Sequence, residues 1–175
     1  ARVRTTHTEG TTRAPAAEGA APSTLLAVVA LSLLSLAATW KLTIGGRIIA
    51  RGDLLLYFYP LRDFAARTLR EWRLPLWNPY SFMGSPFLAN SQAGFFYPLN
   101  VLLSGLPVER AVSLSIAAHL VLAALCAYAL ARAGFGLEPL AAFAAGFAFG
   151  LGGYLGAQVE HLNQLQVLAW MPLAV

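Results

Sequence analysis

Charged residues are scarce in this chain: Asp, Glu, Lys and Arg make up 11% of its 175 residues, whereas 58% are hydrophobic. A soluble domain typically carries about 25% charged residues, so the composition argues against a soluble globular fold. The apolar residues also lie in long uncharged runs, as expected where hydrocarbon is the solvent. The composition therefore predicts an integral membrane protein whose first partner is the lipid bilayer.

The chain has one cysteine, so cysteine pairing gives no information about its cellular compartment. The single Cys126 lies inside an apolar run, so no internal disulfide can form and the redox compartment stays open. The chain also lacks a phosphate-cradling glycine motif, a nucleophile elbow and a Cys/His zinc spacing. Its net charge of +4 comes without a basic soluble module, so we expect no nucleic-acid partner.

The uncharged runs predict an all-α polytopic membrane protein. Residues 1–22 are small and polar and carry three arginines, which predicts a disordered cytoplasmic tail. A cleaved signal peptide ending near Ala37–Thr39 is the alternative to a first span. The remainder, 23–175, is expected to be the N-terminal part of a multi-span domain whose last run is too short to finish a crossing. The expected spans are 23–43, 110–131, 139–157 and 162–175 (truncated).

Small residues in the third run predict close helix packing. Gly146 with Gly150, and Gly152 with Gly156, are each four residues apart and so lie on one helix face. Pairs of this kind let two membrane helices approach at the backbone.

The connection 45–109 has two parts. Apolar residues at helical spacing after Pro60 predict an amphipathic helix lying in the headgroup plane. The part from Leu74 to Val108 is uncharged, but its prolines and glycines exclude a regular span. Irregular apolar backbone must be buried in protein or line a cavity, so this part is expected to form the wall of a site.

Counting crossings from a cytoplasmic tail assigns the two sides. The loop 45–109 and the Glu160–His161 link fall outside, and the turn at Arg132 falls inside. Arginines of the tail agree with the positive-inside rule, and the many arginines of the long loop count weakly in it. We therefore expect a multi-pass plasma-membrane protein whose active face is extracytoplasmic.

The acidic residues are the first catalytic candidates. Asp53 precedes an apolar run at the expected headgroup boundary, where it could take a proton from an acceptor hydroxyl or hold a divalent cation such as Mg²⁺ or Mn²⁺. Helix capping or pairing with Arg51 is an equally weighted alternative. Asp63 is expected to pair with Arg67 one turn later.

A second set of polar residues shares the outer face. Glu160 and His161 could join Asp53 in an acid/base or metal site, although loop residues are often only solvated. His119, inside a span, is a functional candidate by default, and a neutral imidazole bonded to a neighbouring helix is its alternative.

Arginines and aromatic residues of the long loop are candidate substrate contacts. Arg47, Arg51 and Arg62 could clamp a phosphate, or could face an anionic membrane surface. Among the aromatic residues that could stack on sugar rings or form an interfacial belt are Tyr57, Tyr59 and Trp77.

Several loop motifs resemble a known family. The motifs are Gly52-Asp53, Tyr57-Phe58-Tyr59-Pro60, Pro75-Leu76-Trp77-Asn78-Pro79-Tyr80, Gly84-Ser85-Pro86, Asn90-Ser91-Gln92, Phe96-Tyr97-Pro98-Leu99-Asn100 and His161-Leu162-Asn163-Gln164. Over roughly Gly45 to the end, the chain is similar to the N-terminal part of the YfhO-like bacterial membrane proteins. Their polar positions add Asn78, Asn90, Gln92 and Asn163 as candidate substrate contacts.

The resemblance implies a fold and an activity. The YfhO-like family is grouped with the GT-C glycosyltransferases, multi-span helix bundles that move a sugar from a polyprenyl-phosphate donor to an extracytoplasmic acceptor such as a cell-envelope polymer. The essential acidic residue of their first outer loop corresponds by position to Asp53, and Glu160 is a candidate for the second. The alternative function is a non-enzymatic lipid-linked sugar transporter or envelope-assembly subunit.

Overall fold

The computed structural model describes residues 20–175, which are mostly helical. The predicted disordered tail lies outside the described residues except at its end, where the first helix already begins at Ala20. The α-helices are α1 (Ala20–Ala38), α2 (Trp40–Thr43), α3 (Tyr59–Arg70), α4 (Pro98–Leu103), α5 (Val108–Ala129), α6 (Pro139–Gly150), α7 (Gly153–Ala157) and α8 (Leu162–Trp170). Shorter elements are π-helical turns at Leu54–Phe58 and Leu130–Gly134, 3-10 turns at Gln158–Glu160 and Met171–Leu173, and the antiparallel strands β1 (Trp77–Asn78) and β2 (Ser85–Pro86).

Two helical runs in the described part of the chain are long and apolar enough to cross a membrane. They cover Val108–Gly134 (27 residues) and Pro139–Glu160 (22 residues), at the positions of the second and third predicted spans. The second of these runs bends, because α6 ends at Gly150 and α7 begins at Gly153. Length and composition therefore support membrane association through two helices.

The first and fourth predicted spans correspond to α1 and α8. Helix α1 has 19 residues, and its apolar stretch Ser23–Ala38 is shorter than the two membrane-length runs. Helix α8 has nine residues, about 14 Å at 1.5 Å per residue, whereas a hydrocarbon core is about 30 Å thick. Pro172 follows in a 3-10 turn, because proline does not continue a regular helix.

Helix α5 is the centre of the packing. On one side it contacts α1 and α6 through an apolar cluster that includes Leu31, Ala124 and Ala142. On the other side it contacts the π-helical turn Leu54–Phe58 and α8 through a second apolar cluster. The fold is thus a helix packed between two layers.

The predicted glycine contact is confirmed for one pair. A Cβ at Gly150 would lie 2.5 Å from Cβ of Ala124, and one at Gly146 would lie 2.7 Å from the carbonyl oxygen of Ala124. The prediction is wrong for the other pair: no atom lies within 4 Å of a Cβ at Gly156, and the chain bends at Gly152. Gly152 and Gly156 instead line a cavity together with Ile116 and Leu120 of α5.

Helix α3 is amphipathic as predicted, and Pro60 lies in its first turn. Its apolar side does not need headgroups for burial, since Leu61 and Ala65 pack against Phe87 and Phe95 of the following loop. A membrane-plane position for this helix therefore stays a prediction, because the chain's own loop covers the face that was expected to meet lipid.

The π-turn before Pro60 has a steric cause. A proline ring clashes with the carbonyl group four residues earlier in a regular α-helix, here Leu56. The wider turn at Leu54–Phe58 lets one helical run continue through the proline. This run carries Asp53 at its start and Arg62 beyond the proline.

The uncharged loop after α3 folds on the helices as predicted. Phe87 and Ala93 are buried against α3, and strands β1 and β2 form a small hairpin. The hairpin's tip holds Phe82 and Met83 at positive φ, with both side chains exposed.

Candidate functional site

Four polar side chains meet where the helical run of α3 begins and the run Pro139–Glu160 ends. Arg51 donates to both carboxylate oxygens of Glu160, at 2.9 Å from Nη2 and 3.3 Å from Nε. His161 Nε2 lies 3.6 Å from Asp53 Oδ2. We call these four residues the Asp53 cluster. Asp53, Glu160 and His161, predicted to share one face, therefore do lie together.

Gly52 makes this arrangement possible. Its φ of +52° is in the left-handed region, which glycine adopts without the steric cost that other residues meet. A Cβ at this position would also collide with Oε2 of Glu160. The backbone can thus pass directly under the Arg51–Glu160 pair and place Asp53 beside His161.

Asp53 is the most accessible acid of the cluster. Its side chain is 64% exposed and makes no capping hydrogen bond to the helix that follows. Pairing with Arg51 is also not observed, because Arg51 is bound to Glu160. Neither structural alternative for Asp53 is present, so its carboxylate is open to a substrate.

Glu160 has a different position. Both of its oxygens accept hydrogen bonds from Arg51, and the same contact and charge raise the pKa of the Arg51 guanidinium. Glu160 would have to leave this pair to take up a proton or a metal ion. Its geometry fits a positioning role, in which the ion pair joins two segments that are 109 residues apart.

The cluster does not form a metal site as it stands. No group of three or more His, Cys, Asp and Glu side chains within residues 20–175 is arranged to hold a metal ion. One carboxylate of the cluster is occupied by a guanidinium and the other is beside an imidazole. Within the cluster, the Asp53 carboxylate is the one that Arg51 does not hold, so the cluster offers a single free carboxylate to a cation such as Mg²⁺ or Mn²⁺.

The three predicted phosphate-binding arginines are not gathered into one clamp. Arg47 is exposed, Arg51 is paired with Glu160, and Arg62 is 8% exposed. Burial lowers the pKa of Arg62 to about 10, which leaves it protonated at neutral pH. Arg62 therefore brings a positive charge into the protein interior.

Two of the predicted sugar-stacking residues are used inside the protein. Tyr59 is buried, and this burial raises the pKa of its phenol. Tyr57 accepts a hydrogen bond of 2.7 Å from Asn90, which ties the loop to the helical run. Trp77 stays half exposed and lies over Gly84, whose lack of a side chain leaves room for the indole.

The predicted amide contacts divide in the same way. Asn78 is buried and closes the hairpin turn by accepting from the Tyr80 N–H and donating to Ser81. Asn90 also accepts from the backbone N–H of Gln92, whose side chain is exposed. Asn163 follows the cluster in the first turn of α8 and is partly exposed. Of the amides, Gln92 and Asn163 remain accessible to a substrate.

A buried polar network, missed from the sequence, lies between α3, α5 and α8. Gln166 accepts from Arg62 at 3.4 Å and donates to Asn100 at 3.0 Å, while Asn100 donates to the Gly94 carbonyl oxygen at 2.8 Å. Its only signal in the sequence is Gln166, an isolated amide within an apolar run. The network joins loop and helices through neutral acceptors.

His119 continues the polar interior. Its Nδ1 lies 2.6 Å from the carbonyl oxygen of Ser115, and its Nε2 lies 2.7 Å from the Tyr97 hydroxyl, which also accepts from Trp170 at 2.8 Å. A carbonyl oxygen only accepts, so in the neutral imidazole Nδ1 carries the proton and Nε2 accepts from Tyr97. This geometry matches the hypothesis that His119 is a neutral, hydrogen-bonded imidazole. Its partner is Tyr97 of the loop and not a residue of a neighbouring membrane helix.

Comparison of this chain with protein-family models, curated proteins and solved structures gives no match. Fold and site define the class: a mostly helical protein with two helices of membrane-spanning length and an exposed carboxylate–imidazole pair at the end of one of them.

Proposed function

We propose that this chain belongs to a membrane glycosyltransferase that moves a sugar from a polyprenyl-phosphate donor to an extracytoplasmic cell-envelope acceptor. The observation that carries the proposal is the exposed Asp53 carboxylate beside His161, at the end of an apolar helical run. A base at this position meets a lipid-linked donor and a water-soluble acceptor at the boundary between their two solvents.

In this mechanism Asp53 is the general base. Its carboxylate takes the proton of an acceptor hydroxyl while that oxygen attacks the anomeric carbon of the donor. The bond between the anomeric carbon and the phosphate oxygen breaks, and the polyprenyl phosphate leaves with the bonding electron pair. Direct displacement inverts the anomeric centre.

His161 can take part in the return of the proton. The 3.6 Å between Nε2 and Asp53 Oδ2 exceeds a hydrogen bond, so a small side-chain rotation or one bridging water would connect them. The proton accepted by Asp53 can then pass to the imidazole and on to solvent, because His161 is itself 40% exposed.

The exposed loop residues supply candidate donor contacts. Arg47 carries an accessible positive charge for a phosphate, and Trp77 offers a half-exposed aromatic face for a sugar ring. Both belong to the loop that follows the first apolar helix.

Substitution of Asp53 tests this function. In the complete protein, Asp53→Asn keeps the side chain's size but removes its basicity, and we expect transfer from a polyprenyl-phosphate sugar to fall by about 10²–10⁴-fold. Asp63→Asn is the matched control, because Asp63 is bound to Arg67 on the surface of α3 at 2.6 Å. An exposed pair of this kind contributes only about 0.2–1 kcal/mol.

Protein level and membrane insertion are measured in both variants, so that a loss of folding is not taken for a loss of chemistry. Unchanged transfer in a well-expressed Asp53→Asn protein would refute the enzymatic proposal. It would favour the lipid-linked sugar transporter, which needs no particular carboxylate.

A further inference from the structure

The hairpin formed by β1 and β2 ends in a tight turn whose central residues do not suit it. The N–H of Gly84 donates to the carbonyl oxygen of Ser81 at 2.8 Å, and between them Phe82 and Met83 have φ angles of 51° and 62°. Turns with positive φ at both central positions favour Asn-Gly or Asp-Gly, because other side chains crowd the backbone in this conformation. Phe and Met therefore weaken the turn, and local stability does not account for their presence.

The same two side chains are turned out of the protein. Phe82 is 90% exposed and Met83 is fully exposed, and the neighbouring Tyr80 is largely exposed as well. Adjacent large apolar side chains at a protein surface are typical of an interaction site. Backbone strain that coincides with such exposure indicates a function for the residues concerned. The hairpin tip, Phe82–Met83, is thus a candidate contact for an apolar partner.

The base of the hairpin is fixed on α3. The ring of Phe64 packs edge-on against Tyr80 and Phe87, with centroids 6.1 Å and 5.1 Å away. Phe87 is also one of the most deeply buried side chains of the described residues 20–175. The position of α3 relative to the membrane-length helices therefore sets the level of the hairpin.

Helix α3 lies beside one end of a candidate membrane span. Ala65 and Leu69 line a small space together with Val108 and Val112, which belong to the first two turns of the run Val108–Gly134. This run of 27 residues is about 40 Å long at 1.5 Å per residue, whereas a hydrocarbon core is about 30 Å thick. Its end turns consequently reach the headgroup layer, and the base of the hairpin lies at that level.

The sequence around the tip suits lipid as the partner. No charged residue occurs between Leu74 and Val108, so this part of the chain can enter the bilayer surface without dehydrating an ion. Interfaces between proteins normally have a polar rim, whereas the boundary between headgroups and acyl chains is enriched in aromatic side chains. The exposed Phe82, Tyr80 and Met83 match the second environment.

We propose that the hairpin tip Phe82–Met83 inserts into the boundary between headgroups and acyl chains of the bilayer and anchors the loop there. The loop that covers the apolar face of α3 is then the part that meets lipid, in place of α3 itself. The strained turn serves this contact, because it directs two successive apolar side chains away from the protein. The anchor is separate from the Asp53 cluster and does not depend on sugar transfer.

A depth-sensitive fluorescence measurement on the whole chain tests the insertion. The chain carries Cys126→Ala, is reconstituted in phosphatidylcholine vesicles, and has a nitrobenzoxadiazole fluorophore attached at Ser81→Cys, next to the tip. Ser91→Cys is the matched control, a serine of the same loop that is also accessible. A lipid with a nitroxide high on its acyl chain should quench the fluorophore at Ser81 more strongly than the one at Ser91. Equal quenching at the two positions would overturn the proposal.

A change of the tip separates lipid contact from folding. The double variant Phe82→Asn, Met83→Gly suits the turn and removes both apolar side chains, so helical content measured by circular dichroism should be unchanged. Burial of one such side chain shifts an equilibrium by at least about tenfold, so the ratio of inserted to free hairpin should fall by at least that factor. Quenching at Ser81 should then drop to the level found at Ser91.

Three results would contradict the anchor in this variant and its parent. Undiminished quenching with the Asn-Gly tip would show that Phe82 and Met83 do not hold the hairpin in lipid. A loss of helical content would show that the tip supports the fold itself. A blue-shifted emission at Ser81 that the lipid nitroxide does not quench would place the tip against protein, such as a second copy of the chain.

Discussion

The contact between α5 and α6 depends on the absence of a side chain at Gly150. In the variant Gly150→Ala, the new Cβ would lie 2.5 Å from Cβ of Ala124 and 2.7 Å from its Cα and its backbone nitrogen. Two of these three atoms are backbone atoms of a helix, so they cannot move aside as the end of a flexible side chain would. The added methyl group must therefore push the two helices apart.

The size of this effect follows from the distances. Carbon atoms pack at about 3.5–4.0 Å, so relief of the contact requires the helices to separate by roughly 1 Å. A radial gap of 0.5–1 Å already loses about a quarter to a half of the dispersion energy of the atoms that face it. Small-to-large changes in packed interiors typically cost about 1–3 kcal/mol, and we expect Gly150→Ala to lie in that range.

Thermal unfolding in neutral detergent, followed by tryptophan fluorescence, measures the loss. For a chain of this length, each kcal/mol lowers the midpoint by about 2–4 °C. Gly156→Ala is the matched control: it has open space around the added Cβ, and alanine favours a helix over glycine by about 1 kcal/mol. If both variants unfold at the same temperature, the inference that Gly150 sets the α5–α6 distance is wrong.

Three further predictions concern the Asp53 cluster and its side of the membrane. A double-mutant cycle on Arg51→Gln and Glu160→Gln, read from unfolding midpoints, should give a coupling of about 0.2–1 kcal/mol, since the Arg51 side chain is 70% exposed. Gly52→Ala should destabilise by about 1–3 kcal/mol, because its φ is positive and its Cβ would meet the carboxylate; a value near zero would contradict the observed turn. A cysteine at Asn163 should react with an impermeant thiol reagent in intact cells and one at Gly136 should not; the reverse pattern would invert the proposed topology.

The sequence predicted the helices that are both uncharged over most of their length and long enough to cross a membrane. The second and third spans were found from uncharged runs because a hydrocarbon solvent selects such runs whatever they pack against. The bend at Gly152 was not found, since a glycine pair at helical spacing is compatible with both a continuous and a broken helix. The tertiary position of Ala124 decides which glycines become contacts.

The site was predictable in part for a topological reason. Counting crossings was enough to put Asp53, Glu160 and His161 on one face, and these side chains do lie together. The division of roles between the two carboxylates was not predictable, because it depends on which one Arg51 reaches. That choice follows from the turn at Gly52, and no local pattern reports it.

Arg62 shows the limit of reading charges along a helix. Spacing in the sequence put it on the polar side of an amphipathic helix, whereas the structure buries it against Ala93 and Gln166. The long side chain reaches across the edge of the helix because the loop supplies carbonyl oxygens there. Only the fold of the loop, which has few local signals, reveals this position.

Arg51 and Arg62 differ in how their charge is balanced, and this difference separates their roles. Arg51 is paired with a carboxylate at the surface, so it can fix two segments without creating a demand for a ligand. Arg62 is buried among neutral acceptors with its Nε unused, so no described carboxylate balances its charge. The two arginines therefore differ in their counter-ions, although both follow the same first apolar helix in the sequence.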